Sequence, residues 1–137
     1  MFYTSSSEGS IKRAGMDGSN PTTLVTRLGW PWGITIDFKT SKLLWTDFMT
    51  YKIESSNFQG HERRTVVQLT STFLKGITVG NDRIYWAEQS AISSGHKLQS
   101  SSIDGKDVFA LHSDTKRIYG LILVPDLSLP QTGQTTA

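Results

Sequence analysis

The sequence predicts an all-β chain built from a repeated four-stranded unit, and three recurring marks carry that prediction. Aromatic-centred segments appear as Phe2-Tyr3-Thr4-Ser5, Leu44-Trp45-Thr46-Asp47 and Tyr85-Trp86-Ala87-Glu88. Tight-turn glycines follow at Gly18, Gly60 and Gly105. A third set, Gly33, Gly76 and Gly120, opens apolar strands, and every step between equivalent marks falls between 41 and 45 residues. A unit of that size cannot bury its apolar face alone, so a kept period argues for stacked repeats.

Each strand has its own local signal. Ile34 and Ile36 alternate with polar residues in Gly33-Ile34-Thr35-Ile36-Asp37, the period of two that marks a half-buried strand. In the second unit the four strands are expected over Gly33–Phe38, Leu43–Phe48, Lys52–Asn57 and Arg64–Leu69. Lys39-Thr40-Ser41-Lys42 turns between the first pair, and Gln59-Gly60-His61 between the last. Asp17-Gly18, Asp104-Gly105 and Asn81-Asp82 supply the positive φ that tight hairpins require. Four antiparallel strands per unit of this length describe the blade of a β-propeller. Sequence units are expected at about 2–42, 43–83 and 84–124, followed by a polar, proline-punctuated linker over 125–137.

Composition narrows the function classes. A chain of 137 residues suffices for a real core, and 36% hydrophobic with 19% charged residues is an ordinary globular balance. The net charge of +2 and the scattered pairs Lys12-Arg13, Arg63-Arg64 and Lys116-Arg117 give no basis for nucleic-acid binding. No run reaches the roughly 18 apolar residues of a membrane span, and residues 1–6 lack the basic and apolar regions of a signal peptide. The absence of cysteine removes disulfides and thiolate chemistry without fixing a compartment, because neighbouring modules could carry the cysteines.

The segments Leu43-Leu44-Trp45-Thr46-Asp47 and Ile84-Tyr85-Trp86-Ala87-Glu88 resemble the YWTD repeat, the class B repeat of low-density lipoprotein receptors. Ile11-Lys12-Arg13-Ala14-Gly15-Met16-Asp17-Gly18-Ser19-Asn20 and Trp30-Pro31-Trp32-Gly33-Ile34-Thr35-Ile36-Asp37 are similar to two further segments of that family, so the likeness spans about residues 2–124. The resemblance implies a six-bladed propeller in an extracellular or cell-surface protein, with a protein ligand and no cofactor, metal or catalytic residue. Endocytic and Wnt co-receptor roles occur in the family. By position, Trp45 and Trp86 would fill space between blades, and Asp47 and Glu88 would tie turns together. The first unit departs, with Tyr3 and Ser5 at those positions.

Three blades are half of a six-bladed ring. The chain would start at strand 2 of one blade and end with strand 1 of another, Gly120–Val124. Either further blades belong to the same chain, which is the favoured expectation, or a second copy completes the ring. An EGF-like module would usually follow at such a point, and any membrane association would come through a parent receptor. Leu129-Pro130-Gln131-Thr132-Gly133 spells a sortase motif but lacks the apolar and basic segment that should follow it.

Up-and-down topology sorts the loops. Connections 2–3 and 4–1 share one face of the disc and receive Trp30, Trp32, Phe48, Tyr51, Phe73 and Tyr119. The other face receives Lys39, Lys42, Asp82, Arg83, Asp17, Asp104 and Lys106. The aromatic face is the expected ligand surface, since tryptophan buries much area with few rotors. Trp30 and Trp32 could equally pack between blades.

Other chemistry is thin. His61, His96 and His112 keep no metal spacing and read as surface residues. Asp104-Gly105-Lys106-Asp107 lacks the order of a calcium loop, and Pro21 spoils the sequon Asn20-Pro21-Thr22. Arg13, Glu54 and Gln99 are expected on third strands, solvated or touching a neighbouring blade. The rival to a binding module is a propeller hydrolase of lactonase type, with a channel metal on Asp37, Asp47 and Glu54. A structural matrix role is the third reading.

Overall fold

A computed structural model describes residues 1–114. Tyr119, Gly120, Lys116-Arg117, the strand expected over 120–124 and the tail 125–137 lie outside the described residues.

The strands are β1 (Phe2–Ser5), β2 (Ser10–Arg13), β3 (Thr22–Val25), β4 (Pro31–Asp37), β5 (Lys42–Asp47), β6 (Lys52–Asn57), β7 (Arg64–Gln68), β8 (Thr72–Gly80), β9 (Arg83–Ser90), β10 (His96–Ser102) and β11 (Phe109–Asp114). Each pairs antiparallel with its sequence neighbour inside one of three sheets: β1 to β3, β4 to β7 and β8 to β11. These are the expected blades. In the second unit β4 begins two residues early, at Pro31, and the other boundaries agree to within one residue, with Phe48 falling in the turn after β5. Proline is tolerated there because the first residue of a strand need not donate to the ladder.

Period-two alternation gives the middle sheet two buried faces. On β5, Leu43 and Trp45 pack back on Ile11 and Val25 of the first blade. Leu44, with Ile53 and Val67, packs forward on Leu74, Ile77, Ile84 and Trp86 of the third. Trp45 and Trp86 are fully buried at the two seams.

Backbone geometry sets how closely blades approach. Matching register shifts fall between Pro31 and Ile34 and between Leu74 and Ile77. Bulges of this kind bend the strand and free a residue from the ladder. At the first, a Cβ on Gly33 would lie 2.9 Å from the Lys75 carbonyl oxygen and 3.2 Å from the Gly76 Cα. Glycine is therefore required where the innermost strands meet.

Thr46 stitches the same place. Its hydroxyl donates to the Lys75 carbonyl (2.6 Å) and accepts from the Gly33 N–H (2.9 Å). One period earlier, Thr4 donates to the Trp32 carbonyl (3.1 Å). Ala87 stands at the third equivalent position and has no hydroxyl to offer.

The turns joining third to fourth strands also sit on the blade before. Gly60 has φ +82° and faces the Leu24 carbonyl of β3, where an added Cβ would lie 2.2 Å from the oxygen. Gly105 has φ +83° and meets the Val66 carbonyl of β7 at 2.0 Å by the same construction. Gly18 shares the φ of +83°, yet a Cβ there would meet nothing within 4 Å.

This asymmetry gives a graded expectation. Gly18→Ala bears only the left-handed backbone penalty of about 1–2 kcal/mol. Gly60→Ala and Gly105→Ala add an overpacking term of about 1–3 kcal/mol, so each should cost roughly 3–4 kcal/mol in denaturant unfolding. Equal losses at all three positions would contradict the seating of these turns.

Candidate ligand-binding face

Five of the six expected aromatic residues lie in one patch. Phe48 and Phe73 stack with centroids 4.4 Å apart and planes 2° from parallel. Trp32 stacks on Phe48 at 5.5 Å, Trp30 leans on both Phe48 (5.7 Å) and Trp32 (6.5 Å), and Tyr51 closes on Phe73 at 5.8 Å. The sixth, Tyr119, is outside the described residues.

The topology explains the assembly. Trp30 comes from the connection into β4 and Trp32 from its second position, Phe48 and Tyr51 from the β5–β6 turn, and Phe73 from the start of β8. All of these positions lie at the same end of their sheets, so rings from two blades meet in front of one seam. Trp30 and Trp32 remain 44% and 40% exposed, which decides against either being a seam residue. Phe48, Tyr51 and Phe73 are half-buried and support them from below. Tyr51 holds φ +59°, a strained conformation for a bulky side chain, and strain of that kind concentrates at functional surfaces.

Asp47 anchors the patch. Its buried carboxylate accepts four backbone N–H groups: Gly29 (2.7 Å), Trp30 (2.9 Å), Met49 (3.1 Å) and Thr50 (3.1 Å). One side chain thereby fixes both the loop that carries Trp30 and the turn that carries Phe48 and Tyr51. Burial pushes its pKa up, but the hydrogen bonds from Trp30, Gly29, Thr50 and Met49 together outweigh burial and hold it below the ordinary 3.8.

The equivalent acid works differently. Glu88, one methylene longer, accepts from the Trp86 indole N–H (2.9 Å) and from the Gln99 amide (3.0 Å). Among the described residues these bonds tie no turn. Asp47 is committed to its loops, and the buried Trp45 Nε1 has no hydrogen-bond partner.

Other candidates fall into separate places. The opposite end carries the ion pairs Lys39–Asp82 (2.8 Å) and Arg64–Asp104 (3.5 Å), each joining neighbouring blades at the polar face. The three carboxylates of the rival metal site do not converge. Asp37 accepts from the Lys39 N–H and the Thr40 hydroxyl, while Glu54 is paired with Arg63 at 2.6 Å. Arg63 also donates to the Thr26 carbonyl (2.8 Å), so this pair joins the first two blades. Among the described residues no three His, Cys, Asp or Glu side chains are grouped to hold a metal ion. His61 and His112 are exposed, but His96 is not the surface residue expected: it is 3% exposed, at the start of β10.

The repeat spacing and the fold agree with sequence and structure comparison. The family model "Low-density lipoprotein receptor repeat class B" matches residues 1–38. The chain is 44% identical over 79 residues to low-density lipoprotein receptor-related protein 5 of Mus musculus and of Homo sapiens, covering 57% of this chain and 5% of each relative. It is 33% identical over 96 residues to the vitellogenin receptor of Solenopsis invicta, covering 70% of this chain and 5% of that protein. Among solved structures, a chain of a nidogen/laminin complex superposes with TM-score 0.72 at 30% identity, over 82% of this chain and 43% of that one.

The three sheets are propeller blades of the YWTD type. The chain spans only about 5% of the length of these curated receptor relatives. A virginiamycin B lyase from Staphylococcus aureus shares the propeller fold at TM-score 0.66, but at 21% identity that likeness speaks for architecture alone. Within the YWTD repeat, the threonine and the acid are the parts whose work is now visible: one crosses the seam and the other holds the loops.

Sequence reasoning missed two features, the burial of His96 and the Thr46 stitch, and it placed Asp47 as a tie between turns without its four N–H partners. The 42-residue step from Thr4 to Thr46 was the available signal for the stitch.

Replacing Asp47 with Ala should cost about 4 kcal/mol, because it leaves four partly buried donors without a charged acceptor. The pH dependence follows from the lowered pKa. The stabilisation is fully present above the unfolded value of 3.8 and is lost as pH falls through the folded one. Thermal unfolding of the parent protein should therefore show an acid limb that Asp47→Asn flattens. An unchanged limb in that variant would assign the effect to other carboxylates.

Proposed function

We propose that this chain is a non-catalytic, protein-binding part of an extracellular receptor of the low-density-lipoprotein-receptor type, and that Trp30, Trp32, Phe48, Tyr51 and Phe73 are its contact face. The observation that carries the reading is the joined aromatic patch with two tryptophans more than a third exposed. Isolated exposed apolar residues need no explanation, but a contiguous rigid patch does. Tryptophan and tyrosine dominate binding hot spots because they bury large area at little entropic cost. The Asp47 carboxylate holds the backbone beneath them before any ligand arrives, which lowers the ordering cost of association.

Receptor names among the relatives support the extracellular setting, and the vitellogenin receptor is by its name a receptor for a protein. The nidogen/laminin complex shows a similar propeller in a protein assembly, which also supports this reading. Further blades in the same chain and a neighbouring EGF-like module fit the same picture, with membrane attachment through the parent receptor. Endocytic uptake and Wnt co-reception are the two receptor roles that the likeness favours.

The test is a binding screen against displayed extracellular proteins, followed by alanine variants. Trp30→Ala and Trp32→Ala should each weaken the selected ligand by about 2 kcal/mol, roughly thirty-fold, with thermal stability nearly unchanged. Retained affinity in both variants would refute the assignment of this face.

A further inference from the structure

The β2–β3, β6–β7 and β10–β11 turns repeat residue for residue, as Met16-Asp17-Gly18, Phe58-Gln59-Gly60 and Ile103-Asp104-Gly105. In two of them the first residue packs back across a seam. Phe58 joins the core between the first two blades, with its ring 5.6 Å from that of Phe2, and Ile103 joins the core between the last two. Each of these turns is a knob, apolar at its base and with a glycine at its tip against a main-chain carbonyl of the blade before.

The socket that receives a knob is a bulge. Gly60 meets the carbonyl of Leu24 and Gly105 that of Val66. Each of these is the extra residue of a register shift, lying opposite the Ile11–Lys12 step and the Ile53–Glu54 step. Both side chains are partly buried in the seams they serve. β11 repeats the shift opposite Leu98–Gln99, which makes Leu111 the third such residue.

The third knob and the third socket are unfilled among the described residues, and they belong to the first and last blades. Met16 is 86% exposed, and Gly18 keeps the φ of the seated turns, +83°, with nothing within 4 Å of a Cβ built there. Leu111 is 47% exposed and Phe109 48%. Single apolar residues on a surface are ordinary. Here turn, side chain and bulge together reproduce a joint that is filled twice in the same molecule, and that correspondence says what covers them.

We propose that a second copy of this chain fills both ends, knob to socket, so that two half-rings close head to tail. Three blades are half of the six that the family resemblance implies. The chain superposes on 43% of a chain of the nidogen/laminin complex, which leaves length for a second copy. A two-fold axis then creates two identical seams, each with the Met16–Gly18 turn of one copy against Leu111 of the other. One group departs from the pattern: His112 stands where Val67 is buried in the middle blade, so this seam is more polar than the internal ones. Blades supplied by a longer chain would need the same two surfaces, and the experiment separates the cases.

The mass of the full chain is measured by sedimentation equilibrium over a concentration series, and it should rise to that of two chains. Met16→Asp and Leu111→Asp should each weaken association by roughly a hundredfold or more, since each puts a carboxylate into an apolar joint. Both positions are exposed in the single chain, so the thermal transition of the dilute variants should stay in place. Mixing the two variants should restore a weaker pair, because the intact knob of one meets the intact socket of the other. Trp32→Ala should leave the mass unchanged, so this joint and the protein-contact face fail separately. Pairing that survives in either aspartate variant alone, or no recovery on mixing, overturns the proposal. So does a single chain at every concentration, which assigns both surfaces to blades of a longer chain, and so does a mass beyond two chains, which marks an open array.

Discussion

Everything in this chain depends on one constraint: a four-stranded sheet has two apolar faces and only another sheet can cover each of them. The middle blade shows the solution. Its β5 strand sends Leu43 and Trp45 backward and Leu44 forward, so a single strand serves two seams. Burial of that kind supplies the main driving force, since area removed from water dominates folding stability. The polar stitches then set the spacing. Gly33, Gly60 and Gly105 allow backbone to approach backbone, and Thr46 bridges what has come close.

Fixing the seams leaves the loop ends free to specialise. The end that gathers connections 2–3 and 4–1 carries the ring patch. The other end carries exposed ion pairs such as Lys39–Asp82, which contribute little stability individually because solvent screens them. Asp47 belongs to both regimes. It lies on a core strand and organises two loops by accepting their N–H groups, so the shape of the aromatic face is set by the blade interior rather than by contacts among the rings. Mutations at this acid would therefore be felt first as loss of stability and only second as loss of binding.

The blades were legible in the sequence because periodicity and turn chemistry are local. Gly18, Gly60 and Gly105 announce a positive φ, and Trp45 and Trp86 announce buried rings, without any knowledge of neighbours. The sharing of one end by Trp30, Trp32, Phe48, Tyr51 and Phe73 was also legible, since it follows from alternation of strand direction. What could not be read depends on distance across a seam. His96 looks like any polar strand residue until the blade is folded around it. Asp47 and Glu88 occupy equivalent positions, yet a single methylene sends one to loop amides and the other to an indole N–H. Which partner each side chain finds is a matter of reach, and reach appears only in three dimensions.

The Thr46 and Thr4 hydroxyls and the Gly60 and Gly105 turns share one property: their counterparts on the next or previous blade are carbonyl oxygens of the main chain. Every residue has such an oxygen, whatever its side chain. The joint is therefore blind to the sequence it grips. A blade copied by gene duplication would fit beside its own copy at once, and later divergence of its loops would leave the joint untouched. Growth by tandem copying with free variation at one rim is the evolutionary history that this kind of joint permits.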